Sequence, residues 1–182
     1  MDRVVLEFAD RILDAATCDN TKTLEVGAMD VNGTVRPFIE RHTNTFYLAT
    51  DIASGKGVDE LCDVEDIVER YGKEHWDMVV SCEILEHCKD WKKAIRAMKD
   101  ATKLRGTLFI STRAPGFQKH DYPNDFWRYD LRAFREIFAD MEIVEMVECR
   151  MSQGIMALIK KPADWTAHPD YDAIHVESAP LV

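Results

Sequence analysis

The run "WDMVVSC", residues 76 to 82, limits the fold more than any other stretch of the chain. Nearly apolar throughout, it has the character of a central strand covered on both faces, as in a parallel sheet with a helical layer on each side. The rest of the chain alternates around it. Val5, Phe8, Ala9, Ile12 and Ala16 recur at helical spacing and predict an opening helix over about 3–16. Strands are expected at about Thr23 to Val26, at "FYLATD" ending on Asp51, and at "VDELC". Between the first two, "TVRPFIERH" is compatible with a helix because Pro37 falls in its first turn. Asp63 precedes the helical stretch "VEDIVERY", which Gly72 closes.

Asp90 opens "WKKAIRAMKDATKL", in which Trp91, Ile95, Met98 and Thr102 share a face, and Gly106 is read as its stop before the strand "TLFIST". Residues 113 to 129, "RAPGFQKHDYPNDFWRY", lack periodicity and form a long aromatic-rich loop of the sort that usually carries function. A helix at "LRAFREIF", strands near "EIVEMVE" and "IMALIK", and an extended tail over about 162–182 follow. The pattern is an α/β, Rossmann-like, doubly wound and mostly parallel sheet of about seven strands with an antiparallel C-terminal strand, in one domain whose core spans about 21–160. Ligands in such sheets bind beyond the carboxyl ends of the strands, which puts Gly27, Asp51, Asp63, Glu83 and Arg113 on one rim.

With 33 acidic against 23 basic residues, a net charge of -10 and no basic stripe, nonspecific attraction to nucleic acid or anionic membranes is disfavoured. No stretch is long and apolar enough to span a bilayer and no signal-peptide block opens the chain, so the expected location is cytoplasmic. Five cysteines, Cys18, Cys62, Cys82, Cys88 and Cys149, occur without a C-x-x-C pair and read as reduced thiols.

The loop "EVGAMDVNG", residues 25 to 33, departs from a dinucleotide fingerprint. Met29 and Asn32 stand where G-x-G-x-x-G needs its later glycines, and Glu25 and Asp30 put negative charge where a diphosphate would lie. A ligand with a cationic end suits it better. Asp51, at a strand tip, offers two acceptor oxygens to the two hydroxyls of a ribose. Asp63 and Val64 are placed to meet an adenine edge, although Asp63 and the other strand-tip acids serve equally well as helix caps. Glu83 and His87 share a face if "SCEILEH" is helical.

The ordered set "LEVGAMDVNG", "TD", "CDVED", "SCEILEH" and "GTLFIST" resembles the successive motifs of class I S-adenosylmethionine-dependent methyltransferases, over about Thr21 to Lys160. The chain is most similar to a small bacterial and phage subgroup with an E-V-G-x-x-D-x-N-G first motif and an H-x-x-P-x-D-x-W-R loop, present here as "HDYPNDFWR". It departs from the commoner D/E-x-G-x-G-x-G pattern at Met29 and Val31. The resemblance implies S-adenosylmethionine as cofactor and S-adenosylhomocysteine as product. It also implies that Glu25 and Gly27 line the methionine portion, Asp51 holds the ribose, Asp63 and Val64 the adenine, and Cys82 and Glu83 border the sulfonium.

The expected reaction is methyl transfer to a small or medium-sized acceptor, at oxygen. His120 and His87 are the candidate bases, since imidazole titrates near neutrality. Arg113, Asp125, Trp127, Arg128 and Tyr129 are the candidate acceptor-binding residues, with Trp127 and Tyr129 equally suited to fixing the loop onto the core. His87 beside Cys88 lacks spaced partners, so no metal site is expected. The acceptor stays open among small molecules, glycans and peptides, as does self-association. Two other readings stand beside this one: an NAD(P)-dependent oxidoreductase on a similar sheet, disfavoured by the missing glycines and Glu25, and a non-catalytic methyltransferase-like binding protein.

Overall fold

The computed structural model describes residues 3–16, 20–120, 124–168 and 170–180. Cys18 and residues 121–123 of the "HDYPNDFWR" motif lie outside them. The helices are α1 (Arg3–Ala16), α2 (Arg36–Glu40), α3 (Ile67–Tyr71), α4 (Trp91–Ala101) and α5 (Leu131–Ile137). The strands are β1 (Lys22–Val26), β2 (Phe46–Asp51), β3 (Glu60–Leu61), β4 (Trp76–Cys82), β5 (Thr102–Arg113), β6 (Trp127–Arg128), β7 (Glu142–Cys149), β8 (Gly154–Lys160) and β9 (Glu177–Ser178). Seven of these form one sheet in the order β3-β2-β1-β4-β5-β8-β7. The pairs from β3 across to β5 are parallel, and β8 runs antiparallel to both β5 and β7.

Strand alternation sends successive side chains into two separate helical layers. Val79, Leu108, Ile110, Ile155 and Ile159 pack with Trp91, Ile95 and Met98 of α4 and Phe134 of α5. Met78, Val80, Phe109, Met156 and Leu158 face the other way, onto Val5, Phe8 and Ile12 of α1 and Ile39 of α2. The two-sided apolar character of β4 therefore follows from its place in the middle of the sheet.

The helix that begins at Trp91 is shorter than its periodicity predicts. Asp90 caps it by accepting from the Lys93 N–H at 3.0 Å, but Thr102 is already extended and starts β5. Gly106 is not a helix stop. A Cβ there would lie 2.8 Å from the Asp77 carbonyl oxygen, so glycine lets β5 run close beside β4. The tail folds back on the body: β9 pairs antiparallel with β6, and Tyr171 packs on Trp91. No helix among the described residues is long and apolar enough to cross a membrane.

The chain steps from β1 outward to β2 and β3, then crosses to β4 on the other side of β1. The carboxyl ends of β1 and β4 thus flank a topological switch point, where an open sheet leaves a crevice for a ligand.

Candidate functional site

At the tip of β1, Gly27 turns the chain with φ +70°, and a Cβ on it would fall 1.9 Å from Ile84 Cγ2. Glycine is required here by both conformation and space. Two residues earlier, Glu25 is only 2% exposed. The Tyr47 hydroxyl meets its carboxyl oxygen, and Arg36 stacks over the Tyr47 ring at 4.7 Å. Burial pushes the Glu25 carboxyl up to about 8; Arg36 opposes the shift, and Asp30, Asp51 and Asp59 add to it. Of the acids around it, Asp59 is paired with Arg36 at 2.5 Å. Asp30 is occupied by Lys56 at 2.6 Å and by the Gly33 N–H at 2.8 Å.

Asp51 sits at the tip of β2 and accepts backbone N–H groups from Met29 at 3.2 Å and Ala53 at 3.0 Å, one on each oxygen. A carboxylate has about four acceptor sites, so two remain for a ligand. Asp63 accepts from the Glu65 N–H at 3.0 Å and caps the 3-10 turn Val64–Asp66 that leads into α3. It also lines an open hollow of about 640 Å³ with Ile52, Leu61, Cys62 and Arg70, beside the tips of β2 and β3, while the Val64 side chain is buried beneath.

The segment after β4 is not the helix that would put Glu83 and His87 on one face. Glu83 has φ +59°, and a 3-10 turn spans Leu85–His87. Glu83 turns instead toward β5, accepting from the Ser111 hydroxyl at 3.1 Å and pairing with Arg113. Burial, then the nearby Glu86, pushes its carboxyl up to about 7. The Glu86 side chain is fully buried, accepts from the Thr112 hydroxyl at 2.9 Å, and is also pushed up by burial. Burial likewise raises the Cys82 thiol well above its ordinary value, with Glu25 and Glu83 adding to the effect.

In the long loop, His120 Nδ1 lies 3.0 Å from Asp125 Oδ2, and the His87 and His120 rings meet at 4.9 Å. The structure thus brings both candidate bases together. The acceptor-binding candidates are more committed than their sequence context suggests. Arg128 grips Asp125 through two bonds of 2.5 and 2.6 Å, with the two side chains 1% and 0% exposed. Tyr129 is buried, with its hydroxyl donating to the Leu85 carbonyl at 3.2 Å. Arg113 is held by Glu83 and lies 3.9 Å from Glu86. These three side chains and Asp125 fasten the loop to the sheet, and a direct grip on an acceptor would require their present pairs to break. Trp127 donates to the Cys88 carbonyl at 2.9 Å and lines a second open hollow of about 580 Å³ with Lys89, Trp91 and Lys92.

Glu86, Tyr47 and Arg36 were not singled out from the sequence. Their roles depend on neighbours supplied by other strands, and only the position of Glu86 inside "SCEILEH" offered a signal.

The sequence model of a family described as "Methyltransferase domain" matches residues 11–148. No curated protein matches the chain in sequence. Among solved structures, the fold is similar to that of the 1,6-didemethyltoxoflavin-N1-methyltransferase of Burkholderia thailandensis, solved with 1,6-didemethyltoxoflavin and S-adenosylhomocysteine bound: TM-score 0.65, 14% identity, covering 88% of this chain and 80% of that one. A SAM-dependent methyltransferase from Aquifex aeolicus matches with TM-score 0.64 and 14% identity, over 87% of this chain and 93% of that one. One from Mesorhizobium loti gives TM-score 0.62 and 12% identity, over 86% and 100%. At such identities the likeness establishes a shared fold.

Proposed function

The chain belongs to the methyltransferase domain family, and on that premise we propose that it transfers a methyl group from S-adenosylmethionine to an acceptor oxygen in the crevice between β1 and β4. The observation that carries this reading is the set of carboxyls at adjoining strand tips, Glu25 buried at the end of β1 beside the Gly27 turn and Asp51 with open acceptor positions at the end of β2. A diphosphate would meet repulsion from Asp51 and from Glu25 once ionised, whereas the ammonium of the methionyl end would be attracted to Glu25. Glu25 argues against a nicotinamide dinucleotide, whereas an acid at the position of Asp51 would suit the ribose of either ligand.

When bound, S-adenosylmethionine supplies a methyl group on a cationic sulfur that leaves as a neutral thioether. Glu25 would receive the ammonium, Asp51 the ribose hydroxyls, and Asp63 with the backbone of Val64 the adenine edge above the hollow beside β3. Cys82 and Glu83 would border the sulfur. Because burial keeps the Cys82 thiol un-ionised, it is a poor methyl acceptor and does not compete with the substrate. Orientation of the two reactants is worth roughly 7 to 11 kcal/mol of barrier in well-aligned cases, so most of the protein's task is positioning.

The reading is tested by calorimetry with S-adenosylhomocysteine and NAD. Only the first is expected to bind. At pH 7 binding should release about one proton, because the ligand ammonium drives Glu25 from acid to carboxylate, and affinity should climb as pH approaches 8. Without ligand the sign is reversed. A raised carboxyl contributes stability below the usual carboxylate range and loses it as pH rises through about 8. Heats that do not depend on the buffer's ionisation enthalpy would remove Glu25 from the methionyl subsite.

Activation of the acceptor falls to the histidine pair. Asp125 is held at about 2: burial pushes it up, but the bonds from Arg128 and His120 outweigh burial. As an ionised acceptor it takes a hydrogen bond from His120 Nδ1, which leaves Nε2 as the nitrogen able to take a proton. His120→Ala should lower turnover by about 10²- to 10⁴-fold, the usual worth of acid-base assistance, while S-adenosylhomocysteine affinity is kept. Methyl transfer from labelled S-adenosylmethionine to a panel of small hydroxyl compounds, glycans and peptides measures this. Undiminished transfer in the variant would dismiss His120 from the reaction.

A further inference from the structure

Glu86, His87 and His120 each present one ligand atom, and the three atoms lie within 4.8 Å of one another. Two come from the turn after β4 and the third from the long loop. We propose that the three side chains bind one divalent transition-metal ion, of the zinc or manganese kind, on the acceptor side of the crevice.

Glu86 carries the first part of the argument. One of its oxygens, Oε2, accepts from Thr112, but the other, Oε1, is buried and receives no hydrogen bond among the described residues. A buried carboxylate oxygen left without a partner costs free energy unless something cationic or protonated meets it. His87 Nε2 stands 4.0 Å away, and Arg113 Nε, whose guanidinium is already paired with Glu83, stands at 3.9 Å. Neither distance makes a hydrogen bond.

The histidines carry the second part. His87 Nδ1 contacts the Asn124 carbonyl, which can only accept, so Nδ1 bears a hydrogen and Nε2 is the nitrogen turned toward Glu86 and open to a ligand. His120 is fixed the same way by Asp125. An imidazole that donates one N–H to a carbonyl or carboxylate and offers the other nitrogen is the usual arrangement around a protein-bound metal.

Ligand atoms about 2.1 Å from a common ion stand roughly 3 to 3.5 Å apart, so the trio must draw in by about 1 Å. His120, with a side chain 38% exposed on a loop, has room to do so. Two imidazoles and a carboxylate select borderline transition ions rather than calcium or magnesium, and three protein ligands leave coordination positions open. With the ion bound, His120 would serve as its ligand in place of acting as the base, and an acceptor hydroxyl in an open position would lose its proton to solvent more readily. What the ion does rests on the methyl-transfer reading of the crevice; its binding does not.

The test is titration of tag-free, chelator-treated protein with cobalt(II), followed by displacement with zinc. About one equivalent should bind, with the visible absorption of a cobalt site held by nitrogen and oxygen ligands. His87→Ala, His120→Ala and Glu86→Gln should each weaken binding at least about tenfold, while His75→Gln should leave it unchanged. Retained S-adenosylhomocysteine affinity shows that each variant is folded, and His120→Ala is the safest because its side chain is partly exposed. Absence of saturable cobalt binding below millimolar, or undiminished binding in His120→Ala, overturns the site. If cobalt fails while S-adenosylhomocysteine binds, only the ion is lost; if cobalt binds and S-adenosylhomocysteine does not, the ion site stands and the transferase reading falls.

Discussion

Replacing Arg128 by alanine should cost about 3 to 5 kcal/mol of stability, the penalty for leaving one charge of a buried pair uncompensated. Asp125 would be that charge, with a side chain 0% exposed. The same guanidinium also donates to the carbonyls of Phe117 at 3.1 Å, Gln118 at 3.0 Å and Trp127 at 2.7 Å. Its loss therefore frees the carbonyls of Phe117, Gln118 and Trp127 as well as breaking the ion pair, and the carboxylate that orients His120 is no longer held by a cation. Lysine in its place cannot reproduce the two-pronged grip and should recover little. Denaturant midpoints at constant slope measure the effect, and a fall in midpoint worth less than about 1 kcal/mol would show that the pair is dispensable. Acid supplies a second readout. Because the Asp125 carboxyl is depressed to about 2 in the fold, the stability it contributes is present above the ordinary aspartate range and is lost as pH falls through about 2. Without Arg128, that loss should begin at higher pH.

Arg128 also marks a limit of sequence reading. Its loop stood out by its aromatic residues, which made both arginines look available to a substrate. A guanidinium already spent on a carboxylate cannot be told from a free one by composition, although Asp125 three residues earlier was a visible partner. The strands were easier. β4 and β8 are covered on both faces, so burial left nearly unbroken apolar runs, and α1 left its stripe at Val5, Phe8, Ala9 and Ile12. Thr102 misled because it continues the helical face of α4 yet, as a β-branched residue, opens β5 just as readily. At the candidate site, Glu25, Gly27 and Asp51 were readable from their positions at strand ends. Glu86 and Tyr47 were not, since their meaning lies in Thr112, His120 and Glu25, which only the assembled sheet brings alongside.

Gly27→Ala should be nearly as damaging, at about 2 to 5 kcal/mol, for two reasons that can be separated. The left-handed backbone at φ +70° costs any L side chain roughly 1 to 2 kcal/mol. The new methyl would also collide with Ile84, whose Cγ2 lies 1.9 Å and whose Cβ lies 3.0 Å from where it must go. Forced overpacking of this kind costs roughly 1 to 3 kcal/mol, and a β-branched side chain has few rotamers into which to retreat. Only the Cβ contact at 3.0 Å needs Ile84 to shift its backbone, and Glu83, held at φ +59° beside the proposed sulfonium subsite, is the residue before it in the chain. Cofactor affinity should therefore fall with stability. Pairing the change with Ile84→Ala distinguishes the two causes. If collision dominates, the double variant loses less than the sum of the single losses by about 1 to 3 kcal/mol; if backbone strain dominates, the losses add. A Gly27→Ala protein with unchanged stability and unchanged S-adenosylhomocysteine affinity would mean that the β1 loop has a different course, and the crevice between β1 and β4 would no longer have the wall on which methyl transfer there depends.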